Sequence, residues 1–193
     1  LFWRLINIMK LIMKNWKKYL EINEMARFKG FERQLKNQIF PHVPEFVFND
    51  MYGHEGLKDF AVDRGEDINK VGMEEFFATD EFARSWVDRY DLEWTQKPVI
   101  LDLAWEDLGK KERSFLMGKH HGLNPNFPQD KYQEKIQRII DTIPGLGEGD
   151  HEPVILQMDG DKVIDILGGR HRTFAAFLKN NFEPIKIKAY VGI

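Results

Sequence analysis

The chain of 193 residues contains no cysteine. Disulfide bridges, thiolate metal sites and cysteine nucleophiles are therefore excluded, and a thiol-free chain fits a reducing, cytoplasmic setting. Long apolar runs are missing too. No segment reaches the ~18 consecutive apolar residues of a membrane-spanning helix. The most apolar stretch, residues 1–13, is broken by Arg4 and Lys10. It has no small-residue cleavage site, so it does not read as a signal peptide; its expected form is a short amphipathic helix packed on the body of the protein. Nor does one sign of charge prevail: 28 Lys and Arg face 31 Asp and Glu, net −3. That disfavours a globally basic nucleic-acid binder, though not a local basic patch. Internal repeats and low-complexity tracts are absent. What is present is enough apolar matter for a packed core, 42% of the residues, which argues against wholesale disorder.

Charge divides the chain in three: residues 1–40 carry net +6, 41–96 net −9 and 97–193 net 0. The first half reads as helical. Trp16, Leu20, Met25, Phe28, Phe31, Leu35 and Ile39 recur at helical spacing, and Pro41 and Pro44 close the run. A second helix is expected over 73–90. Thr79-Asp80-Glu81 looks like its start signal, and Phe82, Trp86 and Tyr90 share one face. The second half differs. A strand is expected over 97–103, a helix-prone stretch over 106–117 and a loop at 124–128. Tyr132, Ile136, Ile139, Ile140 and Ile143 mark an amphipathic helix. Strands at 154–158 and 163–167 flank Asp159-Gly160 as a hairpin. A helix from about His171 to Asn180 and a closing strand at 185–191 complete the series. The domains expected are a helical extension over 1–96 and a mixed α/β unit over 97–193.

The stretch with most chemical content is Ile164–Leu178, where an apolar strand enters Gly168-Gly169 and then Arg170, His171 and Arg172 open a helix. A helix start has free N–H groups and a positive dipole end. Preceding glycines let an oxyanion approach the main chain, and arginine grips phosphate bidentately. Three cationic or titratable residues at the positive end of a helix are better tolerated beside an anion. That anion is either a bound ligand or the chain's own carboxylates, with Asp165 and Asp141 as candidates.

Leu167-Gly168-Gly169-Arg170-His171-Arg172 followed by Ala175-Ala176 resembles the signature of the ParB/sulfiredoxin superfamily. Sulfiredoxins carry Phe-Gly-Gly-Cys-His-Arg, and ParB-type domains Gly-Glu-Arg-Arg-x-Arg-Ala-Ala. Lys135–Ile143 is similar to the sulfiredoxin helix Lys-Val-Gln-Ser-Leu-Val-Asp-Thr-Ile, while Pro153–Leu156 and Pro184–Ile187 resemble the flanking strands. The resemblance covers residues 97–193. It implies an α+β fold: a ParB/sulfiredoxin-like mixed sheet with helices, preceded by the helical extension. It also implies binding of ATP or another nucleoside triphosphate with Mg2+. Gly168, Gly169, Arg170, His171 and Arg172 would form the phosphate loop, with Thr173 beside them and Lys135, Arg138 and Thr142 as contacts from the preceding helix. The activity this would support is an ATP-dependent phosphotransferase or NTPase with a small-molecule or protein phosphoacceptor.

The departures from the family pattern are specific. Arg170 takes the place of the sulfiredoxin cysteine and of the ParB glutamate. Arginine is no nucleophile, so sulfiredoxin chemistry is excluded. Phosphoryl transfer needs mainly positioning and charge neutralisation, and Asp102, Glu106, Asp107, Asp165 and His171 are the candidate acid, base or metal-holding groups. Two other classes stand beside this one. One is a ParB-like DNA-binding or nuclease module that uses the basic residues 1–40. The other is a catalytically silent interaction module. His42, His54, His120, His121 and His151 lack zinc-type spacing and read as surface or capping residues.

Overall fold

The computed structural model describes residues 30–54, 56–117 and 129–193. Most of the basic segment 1–40, the loop at 124–128 and the His120-His121 pair lie outside these residues. The fold is α+β. Two compact units are present.

The first unit comprises the residues up to Pro41 and Tyr52–Asp88. It is a set of short helices. Helix α1 covers 30–38 and stops ahead of Pro41, since proline cannot continue a helix. Helix α2 (Glu45–His54) belongs through Met51 to the second unit, while α3 (Leu57–Asp63), α4 (Gly65–Val71), α5 (Met73–Thr79) and most of α6 (Glu81–Tyr90) follow in the first. The single helix expected over 73–90 is two, because Asp80 is extended and caps the second. Its Oδ1 accepts from the N–H groups of Phe82 (3.1 Å) and Ala83 (2.9 Å), and its Oδ2 takes Arg64 Nη2 at 3.1 Å. Trp86 is buried as expected, but Phe82 is 58% exposed and meets Phe60 at 5.0 Å. Removing a cap of this kind costs about 1–2 kcal/mol. We therefore expect Asp80→Ala to lower the urea midpoint of unfolding, with Asp80→Asn, which keeps a capping oxygen, intermediate. An unchanged midpoint in Asp80→Ala would remove the capping role.

The second unit comprises His42–Met51 and Arg89–Ile193. Its four strands are β1 (Val99–Leu103), β2 (Val154–Asp159), β3 (Lys162–Gly168) and β4 (Ile185–Gly192), in the order β1-β4-β2-β3. The β2/β4 pair is parallel, while β1/β4 and β2/β3 are antiparallel. A 3-10 turn at Trp105–Asp107 and helices α7 (Lys110–Leu116), α8 (Gln129–Thr142) and α9 (Arg170–Lys179) complete it. Alternation along β4 sends Ile185, Ile187, Ala189 and Val191 into a core shared with Tyr132 and Ile136 of α8 and Ala175, Ala176 and Phe177 of α9. Trp105 closes one end of that core, edge-on to Phe177 at 5.1 Å and Phe182 at 4.9 Å. On the opposite sheet face Phe46 stacks on Tyr190 at 5.3 Å.

Strict alternation along β3 would put Val163, Asp165 and Leu167 on one face. The observed register breaks between Gln157 and Met158: Met158 faces Val163, but Gln157 faces Asp165. One extra residue, Ile164, is thus accommodated as a bulge and is exposed. Val163 and Ile166 both enter the core, while Asp165 turns to the other side.

Candidate functional site

β3 delivers the chain to the first turn of α9 through two glycines with different duties. Gly169 has φ 84°, the left-handed conformation that side chains other than hydrogen resist. A Cβ there would lie 2.7 Å from Val154 Cγ1. Gly168 is not left-handed, but a Cβ on it would lie 2.8 Å from Asp50 Oδ2 and 2.9 Å from Ile155 Cδ1. An aspartate carboxylate from α2 is therefore packed directly against the turn.

The two arginines of that turn have opposite fates. Arg170 donates from Nη2 to Asp165 Oδ1 at 2.5 Å and from Nε to Glu112 Oε2 at 3.3 Å, and its guanidinium stacks over Phe115 at 5.0 Å. The other oxygen of Asp165 faces Arg89 Nη2 at 3.5 Å. The row Glu112, Arg170, Asp165, Arg89 alternates in sign. Glu112 is 2% exposed. Burial pushes its carboxyl above the usual range, and the positive charge of Arg170 opposes that. Burial would pull the Arg170 pKa down, but the charges of Glu112 and Asp165 outweigh it and hold the guanidinium ionised. Arg170 is thus a structural cation rather than an open phosphate ligand.

Among the described residues, Arg172 rests on Glu152 alone. Its Nη1 meets the Glu152 carboxylate and also donates to the Glu152 main-chain carbonyl at 3.2 Å. Its Nη2 lies 3.4 Å from the place a Cβ on Gly169 would take, so the guanidinium folds back over the mouth of α9. The Glu152 side chain is 67% exposed, against 17% for Arg172. His151 is 8% exposed, and its Nδ1 lies 2.8 Å from the same Glu152 carbonyl. The expectation of a surface or capping histidine is corrected here, for this ring is buried beside the site.

The remaining candidates scatter. His171 packs its ring against Tyr132 at 5.5 Å. Thr173 is fully buried and its hydroxyl donates to the Gly169 carbonyl at 3.2 Å, so it is turned into the helix. Lys135, Arg138 and Thr142 occupy exposed positions of α8. The Thr142 hydroxyl donates to the Arg138 carbonyl at 2.7 Å, and Asp141 accepts from Gln137 rather than from an arginine of the turn. Asp102 lies exposed on β1 opposite Lys186, at the sheet edge away from β3, and Glu106 is exposed in the turn that follows. Asp107 holds Lys162 at 2.8 Å and the Ala104 N–H at 2.9 Å. Those bonds, the lysine first, hold its carboxyl below the usual range. Among the described residues no group of three or more His, Asp or Glu side chains is placed to hold a metal. With both Asp165 oxygens facing arginines, the residues around the turn do not form a magnesium cage of their own. No helix among them is long and apolar enough to cross a membrane.

Sequence reasoning missed Asp50, Arg89, Glu112, His151 and Glu152. Each comes from a part of the chain distant from the turn; Arg89 and Glu112 fall within the helical stretches expected over 73–90 and 106–117, but nothing local to them signals the contact. Against known family models, curated proteins and solved structures, the chain matches none.

Proposed function

We propose that the second unit is a nucleotide-binding module of the ParB/sulfiredoxin type, which takes the phosphates of a nucleoside triphosphate at the N-terminus of α9 with Arg172 as its cationic grip. The observation that carries this reading is the contrast between the two arginines. Arg170 is committed to a buried glutamate and to Asp165. Among the described residues, Arg172 is held over the first turn of α9 by Glu152 alone, through an exposed carboxylate and the main-chain carbonyl. An ion pair with so exposed a partner is worth about 0–1 kcal/mol. A triphosphate brings several charges to the same guanidinium and to the positive end of the helix. It can therefore displace the Glu152 carboxylate at small cost, while opening Arg170 would strand a buried charge.

The module binds without turnover in this reading. Asp165 faces arginines with both oxygens, and the residue at the sulfiredoxin nucleophile position is an arginine. Calorimetric titration with ATP and with CTP, with and without magnesium, is expected to give micromolar binding. Arg172→Ala should weaken it by about tenfold or more. Glu152→Ala should tighten it by about two- to fivefold, since the internal competitor is gone. Phosphate release should stay at background. If neither nucleotide binds the unaltered protein up to millimolar concentration, the reading is wrong.

A further inference from the structure

His151 and Arg172 are bonded to one atom, the main-chain carbonyl oxygen of Glu152, at 2.8 and 3.2 Å. A carbonyl only accepts, so His151 Nδ1 carries the hydrogen and donates it. In the neutral ring that leaves Nε2 with a lone pair. Nε2 is buried, and no hydrogen-bond partner reaches it among the described residues. A buried acceptor without a donor costs about 1–3 kcal/mol, an arrangement that persists more readily where a ligand supplies the donor. The carboxylate of the same residue, Glu152, occupies Arg172. When an anion displaces that carboxylate, the main-chain carbonyl still joins the imidazole to the guanidinium. The guanidinium at the mouth of α9 and the buried imidazole are therefore linked through one carbonyl oxygen.

We infer that His151 is a ligand-binding residue of this site, its Nε2 accepting a hydrogen bond from a hydroxyl of the phosphate ester whose anionic group lies on Arg172. The inference rests on the nucleotide reading and narrows it: the ligand is an ester with a free sugar hydroxyl, and a bare polyphosphate satisfies only half the site.

The test compares ATP with inorganic tripolyphosphate on the full chain and on His151→Asn. Asparagine keeps an N–H near the Nδ1 position to hold the Glu152 carbonyl and removes Nε2. ATP affinity should fall by about tenfold while tripolyphosphate affinity stays unchanged. Equal ATP affinity in the two proteins overturns the inference and leaves the nucleotide reading standing. An equal loss for both ligands also overturns it, because His151 would then only position Arg172. If the unaltered protein binds neither ligand, the nucleotide reading itself has failed. A second measurement needs no variant: the 15N resonance of His151 Nε2 in the unaltered protein should move upfield on ATP addition and not on tripolyphosphate addition. Absence of that difference overturns the inference even if the variant does not fold.

Discussion

Gly169→Ala should destabilise the chain by about 2–5 kcal/mol, enough to unfold a marginal domain at physiological temperature. Two costs combine. A side chain at φ 84° adds about 1–2 kcal/mol of left-handed strain. The new methyl would also sit 2.7 Å from Val154 Cγ1, and Val154 is fully buried in the core. Overpacking of such a core costs about 1–3 kcal/mol. Gly160 separates the two terms. It too is left-handed, at φ 55°, but a Cβ there meets nothing within 4 Å. Gly160→Ala should therefore show only the strain. Urea unfolding of the two variants reads the difference directly, and equal losses would mean that Val154 yields and the close approach at Gly169 is not a constraint.

The same turn shows where a sequence is legible and where it is not. Local periodicity marked β2, β3, α8, α9 and β4 because each signal lies within a dozen residues of itself: alternation for the strands, three- and four-residue steps for the helices. The Gly-Gly entry to α9 was legible for the same reason, as glycine is the cheap solution to a left-handed cap. The bulge at Ile164 was not. An inserted residue leaves the composition of a strand unchanged and appears only when the partner strand fixes the register, and it parts Asp165 from Val163, with which strict alternation would group it. The ion pairs were harder still. Of the carboxylates weighed for the arginines, Asp165 is close in sequence and was named. Glu112 lies 58 residues from Arg170 and Glu152 lies 20 from Arg172. Neither spacing has a periodic signature, so which acid meets which base is decided by the strand order. Burial of His151 is likewise a property of the packed core, not of its neighbours in the chain.

Arg170→Met should cost about 3–5 kcal/mol at neutral pH, and the loss should shrink as the pH falls. Methionine replaces much of the packing over Phe115 but removes the cation that, among the described residues, lies beside Glu112. Removing one member of a buried ion pair leaves the other charge uncompensated, and this drives the cost. Asp165 keeps a cation in Arg89, so the penalty falls mainly on Glu112. The sign of the pH effect follows from the protons. The Glu112 carboxyl in the folded protein already titrates above its ordinary value because of burial, against the pull of Arg170. Without that pull it rises further. Between the unfolded value and the raised folded one, the folded variant binds the proton that the unfolded chain does not, so its stability increases as pH falls through the raised folded pKa. Urea unfolding of both proteins between pH 8 and about pH 5 should show the gap narrowing. Glu112→Gln in the same background should recover most of the loss at neutral pH, because it removes the stranded charge and keeps the shape. A gap that is constant with pH, or a double variant no more stable than Arg170→Met alone, would mean that Glu112 is not held ionised by Arg170 and that the ion-pair row is not what anchors the start of α9.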